Sequence, residues 1–315
     1  MDLGYLETNI QAVNALAGGL PVGSGLLIYG PPEAGKTILE FQMAYEALQA
    51  DQNVLIIDTE GSDHTYADWY EKFNARYKVD AGIHFVKAVH RPVYKKSGND
   101  EIPVDVSRFD ILVDENRVKE KKLNIFIFGI REVTEILALV GKPVEIEPSP
   151  NGKFSVKPQP GWKTNPLMSE LGRFVKKYNI GYVAMDSVTQ PTARAIGTEQ
   201  ANLPARAQII SFLLATLQAL AEKAGLALVM VSHENKPGNT NPTDKFKHPA
   251  PLGGDAVMYH VKYAVYMSHE PSTRTPSTDK YKAPTREFWV ARHPSRQPWT
   301  MYRFIKLTND GFIDQ

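Results

Sequence analysis

The run Gly30-Pro31-Pro32-Glu33-Ala34-Gly35-Lys36-Thr37 constrains this chain more than any other stretch. It reads G-x-x-x-x-G-K-[ST], with the apolar run Leu26-Leu27-Ile28-Tyr29 before it and a helical pattern from Ile38 to Leu48 after it. A strand that turns into a helix through such a loop aims backbone N–H groups, at the positive end of the helix, into one small space. That arrangement holds the phosphates of a nucleotide. Lys36 is expected to reach the β- and γ-phosphates and the Thr37 hydroxyl to sit on Mg²⁺. Gly30, Pro31, Pro32, Glu33, Ala34, Gly35, Lys36, Thr37 and Ile38 are the expected nucleotide contacts. The prolines remove two donors, but early in the loop, where few are needed. Glu33 has to point away, because a carboxylate repels phosphates.

At 315 residues the chain has room for one large domain, or for one domain and a sizeable insertion. Its 43% hydrophobic content is ample for a core. A net charge of +1 excludes a global pull on nucleic acid, so any such binding needs local basic patches. The absence of cysteine excludes disulfides, thiolate metal sites and a cysteine nucleophile. No apolar run reaches 18 residues, and Met1-Asp2-Leu3-Gly4 opens no signal peptide. A soluble, cytoplasmic protein without a membrane partner is expected.

A glycine-rich approach, Ala17 to Gly25, leads into the first strand. Val54-Leu55-Ile56-Ile57 reads as a buried strand ending at Asp58-Thr59-Glu60-Gly61, residues 64–77 as a helix, and Ile83-His84-Phe85-Val86 as a short strand. Strand and helix at this spacing predict an α/β fold with a parallel sheet. Residues 91–164 break the rhythm, with eight basic and seven acidic side chains between Arg91 and Lys122. They contain the apolar run Ile125-Phe126-Ile127-Phe128, a helical pattern from Glu132 to Val140, and a hairpin pattern that turns at Asn151-Gly152. A structureless loop of this length is improbable, so the stretch is expected to be a small inserted α+β subdomain between core segments 1–90 and 165–315.

Order resumes with a helix near Met168 to Lys177 and a strand, Ile180 to Met185, ending at Asp186-Ser187. A long amphipathic helix from about Ala205 to Ala224 is closed by Gly225. The strand Leu226 to Val231 ends at Ser232-His233-Glu234; a polar loop covers 235–252, a helix and strand 254–267, and an antiparallel pair 286–307. In an open parallel sheet ligands sit at the carboxyl ends of strands. Asp186, ending such a strand, is therefore the expected second anchor for Mg²⁺ beside Thr37. Hydrolysis also needs a group to orient the attacking water. Glu60 and Asp58 both qualify, since alternation sends them to the same side of the strand.

These residues together resemble the RecA/RadA recombinase superfamily, most closely its archaeal RadA and RadB branch. The likeness covers residues 8–90 and 165–315. It rests on Thr8-Asn9-Ile10, the phosphate loop, Ile57-Asp58-Thr59-Glu60, Met185-Asp186-Ser187-Val188-Thr189, Pro251-Leu252-Gly253-Gly254 and Phe304 to Asp314. The resemblance implies a RecA-like P-loop ATPase core that takes ATP and Mg²⁺, with Glu60 and Lys36 as catalytic residues and Thr37 and Asp186 on the metal. It also implies two loops, about 190–206 and 235–252, that contact DNA, expected to be single-stranded and bound without sequence preference. Arg194 and Arg206 fall in the first, and Lys236, Lys245, Lys247 and His248 in the second, where Phe246 is placed to stack on a base. A homo-oligomer or a recombinase partner is implied as well, with Arg292, Arg296 or Lys306 as a cation given to a neighbour's nucleotide.

The chain departs from that family in three ways. His233-Glu234 stands where Asn-Gln is common. No helical DNA-binding domain or Phe-x-x-Ala linker precedes residue 8, as in accessory RadB-like paralogues. Residues 91–164 match no familiar part. Two further readings share the same core: a KaiC-like regulatory ATPase acting on proteins, and a nucleotide-dependent binding module with negligible hydrolysis.

Overall fold

Val54-Leu55-Ile56-Ile57 and Leu228-Val229-Met230-Val231 are apolar at every position, which suits strands covered on both faces. In the computed structural model both lie inside one eleven-stranded sheet. The structure describes residues 4–6, 8–98, 100–148, 153–197, 202–235, 248–253, 255–269 and 285–314. The sheet strands are β1 (Gly25–Gly30), β2 (Asn53–Asp58), β3 (Ala81–His90), β4 (Phe109–Leu112), β5 (Leu123–Gly129) and β6 (Ile180–Asp186). They continue with β7 (Ala227–His233), β8 (Tyr263–His269), β9 (Thr285–Arg292), β10 (Tyr302–Thr308) and β11 (Gly311–Asp314).

Their order across the sheet is β11-β10-β9-β8-β1-β7-β6-β2-β5-β3-β4. Strands β8 through β3 in that order are parallel, and the outer strands β9, β10, β11 and β4 are antiparallel. This is the α/β, RecA-like architecture expected. One face packs against helices Val133–Leu139, Glu170–Lys177 and Leu203–Ala224, and the other against Lys36–Gln49 and Asp63–Tyr77. By length and composition alone Leu203–Ala224 is apolar enough to cross a membrane. Its side chains Ile209, Leu213, Leu217 and Leu220 are instead buried in the first of these cores, and Gly225 ends it in the left-handed region at φ 66°.

The expected separation of residues 91–164 from the core is corrected here. Leu123–Gly129 is a parallel strand of the main sheet, paired with β2 on one side and β3 on the other. The physical reason lies in Ile125, Phe126, Ile127 and Phe128: all four are buried, and they need cover on both faces that a small outlying unit could not supply. Val93–Ser97 pairs with Asp100–Asp105 as an exposed antiparallel ribbon, whereas Val144–Pro148 pairs with Phe154–Pro158 as a second ribbon whose Val144, Ile146, Phe154 and Val156 pack on the core. The turn expected at Asn151-Gly152 lies outside the described residues.

Strand β11 ties distant segments together. The Phe312 ring lies beneath Gly35, and Phe312 exchanges hydrogen bonds with the Gln42 amide, 2.7 and 2.9 Å, in the helix after the phosphate loop. The Asp314 carboxylate accepts from the backbone N–H groups of Gln11 and Ala12, each at 2.7 Å.

Candidate functional site

Because the central strands run parallel, β1, β7, β6, β2 and β5 all deliver their carboxyl ends to one edge of the sheet. At the end of β1 a Cβ on Gly30 would collide with the Met267 carbonyl oxygen, so no other residue fits there. Gly35, at φ 95°, turns the chain into helix Lys36–Gln49. Glu33, also left-handed at φ 63°, is exposed. Arg286 of β9, itself buried, donates from Nε to the Ala34 carbonyl at 2.9 Å and braces the loop from behind.

Lys36 is buried, and its Nζ donates to the carbonyls of Pro31 (2.7 Å) and Gly30 (3.1 Å). Burial lowers its pKa, against the negative charges of Asp186, Glu60 and Glu234, which raise it. The Thr37 hydroxyl donates directly to Asp186 Oδ2. Burial and the nearby Glu60 charge push the Asp186 carboxyl up to about 7, though the Thr37 hydrogen bond and Lys36 pull the other way.

The structure separates the two acids at the end of β2. Asp58 turns back on its own chain, accepting from the backbone N–H groups of Glu60 (3.0 Å), Gly61 (3.0 Å) and Ser62 (2.6 Å). It is a turn-forming cap. Glu60 faces the site: its Oε1 meets His233 Nε2 at 3.0 Å, and both side chains are 27% exposed. Burial alone would raise the Glu60 pKa, but hydrogen bonds from His233 and Ser187 and the charges of His233 and Lys36 outweigh it and hold it below the ordinary value. The turn is locked to β6, since the Thr59 N–H donates to the Asp186 carbonyl (2.8 Å) and the Thr59 hydroxyl to the Ser187 carbonyl (3.0 Å).

Sequence reasoning missed several residues here. Glu40, one turn along the helix from Lys36, is fully buried, and among the described residues the Tyr66 hydroxyl alone donates to its carboxyl, at 3.3 Å. Burial, with Asp186 and Asp58 nearby, holds its pKa well above the ordinary range. The pairing of His233 with Glu60 was also invisible, because it joins strands far apart in sequence. Arg131 lies two residues beyond β5, and nothing in its neighbourhood marks it.

The candidate DNA contacts fare unequally. Arg194 is exposed on helix Gln190–Ile196, and its Nη1 donates to the Thr59 carbonyl at 2.8 Å. Arg206 is 5% exposed within helix Leu203–Ala224, so as a surface contact to phosphates it is corrected: the core packing of that helix takes it inside. Lys236, Lys245, Phe246 and Lys247 lie outside the described residues. His248 stacks on Trp299 with ring centres 4.4 Å apart. Of the cations considered for a neighbouring subunit, Arg292 and Arg296 donate to the carbonyls of Met258 and Ala15, while Lys306 is exposed.

The donor set suits a nucleotide with a hard divalent cation. A hydroxyl and one carboxylate meet at the start of a helix, the sparse protein share typical of Mg²⁺ held mainly by phosphates and water. Among the described residues no group of three or more His, Cys, Asp or Glu side chains forms a self-sufficient metal site.

Residues 2–119 match the family model described as AAA domain. A curated relative, the DNA repair and recombination protein RadB of Methanosphaera stadtmanae, is 24% identical over 192 residues, covering 59% of this chain and 68% of that protein. Among solved structures, the crystal structure of the RadB recombinase is 17% identical, covers 98% of this chain and 99% of its own, and superposes with a TM-score of 0.56. That last likeness is one of fold.

Proposed function

We propose, from the premise that this chain is similar to the RecA/RadA-like recombinase ATPases, that it hydrolyses ATP with Mg²⁺ and serves DNA recombination or repair as an accessory protein. The observation that carries this reading is the direct contact between Thr37 and Asp186, with Glu60 held by His233 on the next strand but one. The backbone from Gly30 to Ile38 cradles the phosphates, and Lys36 exchanges its loop carbonyls for phosphate oxygens. Thr37 and Asp186 would hold Mg²⁺, which supplies positive charge to the β- and γ-phosphates when bound. Glu60, ionised at neutral pH, orients a water and accepts its proton, and the His233 hydrogen bond fixes which way the carboxylate faces. Catalysis is otherwise a matter of position.

Binding to single-stranded DNA, self-association or docking on a recombinase, and a cytoplasmic location belong to the same proposal. Phosphate release by wild type and Glu60→Gln, alongside nucleotide affinity, tests its centre. The expected result is a loss of about 10²- to 10³-fold in hydrolysis with nucleotide binding retained. Equal rates would overturn it in favour of a binding module. The KaiC-like alternative uses the same site with a different partner, so salt-sensitive capture of single-stranded DNA separates those two.

A further inference from the structure

The hairpin that begins as β3 and returns as β4 reaches beyond the main sheet. Its inner half is β3 paired with β4 and joined to β5. Its outer half is the ribbon of Val93–Ser97 and Asp100–Asp105, which has no further strand on either edge among the described residues. Such a ribbon is marginal in water unless one face is packed. Lys95 lies opposite Ile102, so alternation sets Val93, Lys95, Asp100, Ile102 and Val104 on one face. Lys87 lies opposite Leu112, and alternation along the outgoing strand carries that face from Phe85 through Lys87, Val89 and Arg91 to Val93 and Lys95. Phe85, Val93, Ile102, Val104 and Leu112 are 45 to 58% exposed. Of the twelve large apolar side chains exposed among the described residues, six fall between Phe85 and Leu112, so this hairpin is where apolar surface collects.

The charges on that face are sorted by strand. Lys87, Arg91 and Lys95 stand on the outgoing strand, and Asp100 and Asp110 on the return, where Arg108 is drawn off toward Glu170. Arg91 meets Asp110 at 3.0 Å, but among the described residues Lys87, Lys95 and Asp100 hold no ion pair. Lysines elsewhere differ: Lys121, Lys122, Lys157 and Lys177 each hold an acid. The pattern disfavours pairing through the ribbon's edges. A two-fold axis there would set Lys95-Lys96 against itself on one edge, or Asp100-Glu101 against itself on the other. Stacked face to face about a two-fold axis parallel to the hairpin, each outgoing strand lies over the return strand of the other copy. Lys95 then reaches the partner's Asp100 and Lys87 the partner's Asp110, with the apolar side chains between them.

We infer that the outer face of the hairpin from Phe85 to Leu112 is a docking surface for a second copy of this chain, in a two-fold pair. This deepens the self-association within the proposed function and rests on that part of it. From Phe85 to Lys95 the strand runs roughly 33 Å at about 3.3 Å per residue. A face of that length and two strands wide falls at the small end of specific interfaces, about 1,200 Å² in total, so the pair is expected to separate at micromolar concentrations. Strands β3 and β4 lie five and six places from β1, at the far edge of the sheet. Both nucleotide sites therefore stay open in the pair, and hydrolysis does not depend on it.

The test is sedimentation of the full chain across a concentration series, with ATP hydrolysis measured alongside, for wild type, Ile102→Lys, Lys95→Glu, Asp100→Lys, and an equal mixture of the last two. Wild type is expected to pass from one copy to two and to stop there. Ile102→Lys, which sets a charge in the apolar stripe, is expected to weaken the pair by about tenfold or more. Each reversal alone sets like charges across the contact and is expected to weaken it by about threefold to tenfold. The mixture is expected to regain wild-type affinity, because Glu at 95 of one variant then faces Lys at 100 of the other; a contact within one chain gives no such rescue. Hydrolysis is expected to match wild type throughout. A wild-type pair that all three variants leave unchanged overturns this surface while self-association stands. Growth past two copies into longer polymers also overturns it, since a two-fold contact closes on itself. Reversals that weaken the pair without rescue by mixing overturn the pairing across copies. If wild type stays single at every concentration while still hydrolysing ATP, the surface and the self-association fail together and the ATPase reading stands.

Discussion

The front and the floor of the acidic cluster treat the same residue type in opposite ways. At the front, Glu60 is partly open, hydrogen-bonded to His233, and held below the ordinary carboxylate range. On the floor, Glu40 is sealed under Tyr66 and well above it. The lesson is that nearness to the site does not make an acid a participant. Solvent and a donor keep one charged and available, whereas burial beside other acids keeps the other protonated. Substitutions at the front are expected to change activity with little change in stability, and those on the floor the reverse.

The largest effect expected at the front is from Lys36→Ala, which removes the loop's cation and should lower hydrolysis by about 10³-fold, with weaker nucleotide binding measured by titration. Next comes Asp186. Burial pushes its carboxyl up to about 7, and Mg²⁺ needs the ionised form. Mg²⁺ affinity with nucleotide present is therefore expected to rise as pH climbs through about 7, with protons released on binding, and Asp186→Asn should flatten that rise in a calorimetric titration. A smaller loss, about tenfold in kcat with KM nearly unchanged, is expected for His233→Ala, since Glu60 keeps its chemistry and loses its alignment. An unchanged kcat there would erase the distinction between a held and an unheld carboxylate.

Glu40→Gln gives the smallest effect on activity and sharpens the contrast from the other side. Folding raises this carboxyl's pKa, so the folded chain keeps a proton that the unfolded chain releases above its ordinary value of 4.5. Unfolded chains then bind fewer protons, and wild-type stability from this group falls as pH rises past that value. The neutral glutamine is expected to remove this slope, shifting the urea midpoint upward at pH 8 relative to wild type and little at pH 5, with hydrolysis near wild type. A wild-type midpoint that rises between those pH values because of Glu40 would contradict a protonated floor.

Much of this arrangement was legible in the chain. Apolar runs such as Leu26 to Tyr29 and Ile180 to Met185 mark strands that cannot face water, and the polar residue ending each one marks the ligand edge. Spatial order was not legible. Leu123–Gly129 comes after β3 in sequence but lies between β2 and β3, because burial chose the slot and the charge-rich flanks concealed its membership. Helix periodicity misleads at Glu40 for a related reason: Leu39 through Leu48 are all buried, so the helix has no solvent face there to which a polar side chain could be assigned. Asp58 and Glu60 were inseparable by alternation and are parted by the backbone N–H groups of the turn, which claim Asp58 first.

Strand β11 braces the phosphate loop with residues almost three hundred positions further along the chain. Removal of Gly311–Asp314, by a stray protease during purification or by a misjudged cloning boundary, takes away the ring beneath Gly35 and the partner of Gln42 while leaving every phosphate-loop residue in place. Such a preparation is expected to look correct by sequence around the loop yet bind ATP poorly, so intact mass is the measurement to make before any weak affinity is blamed on the phosphate loop itself.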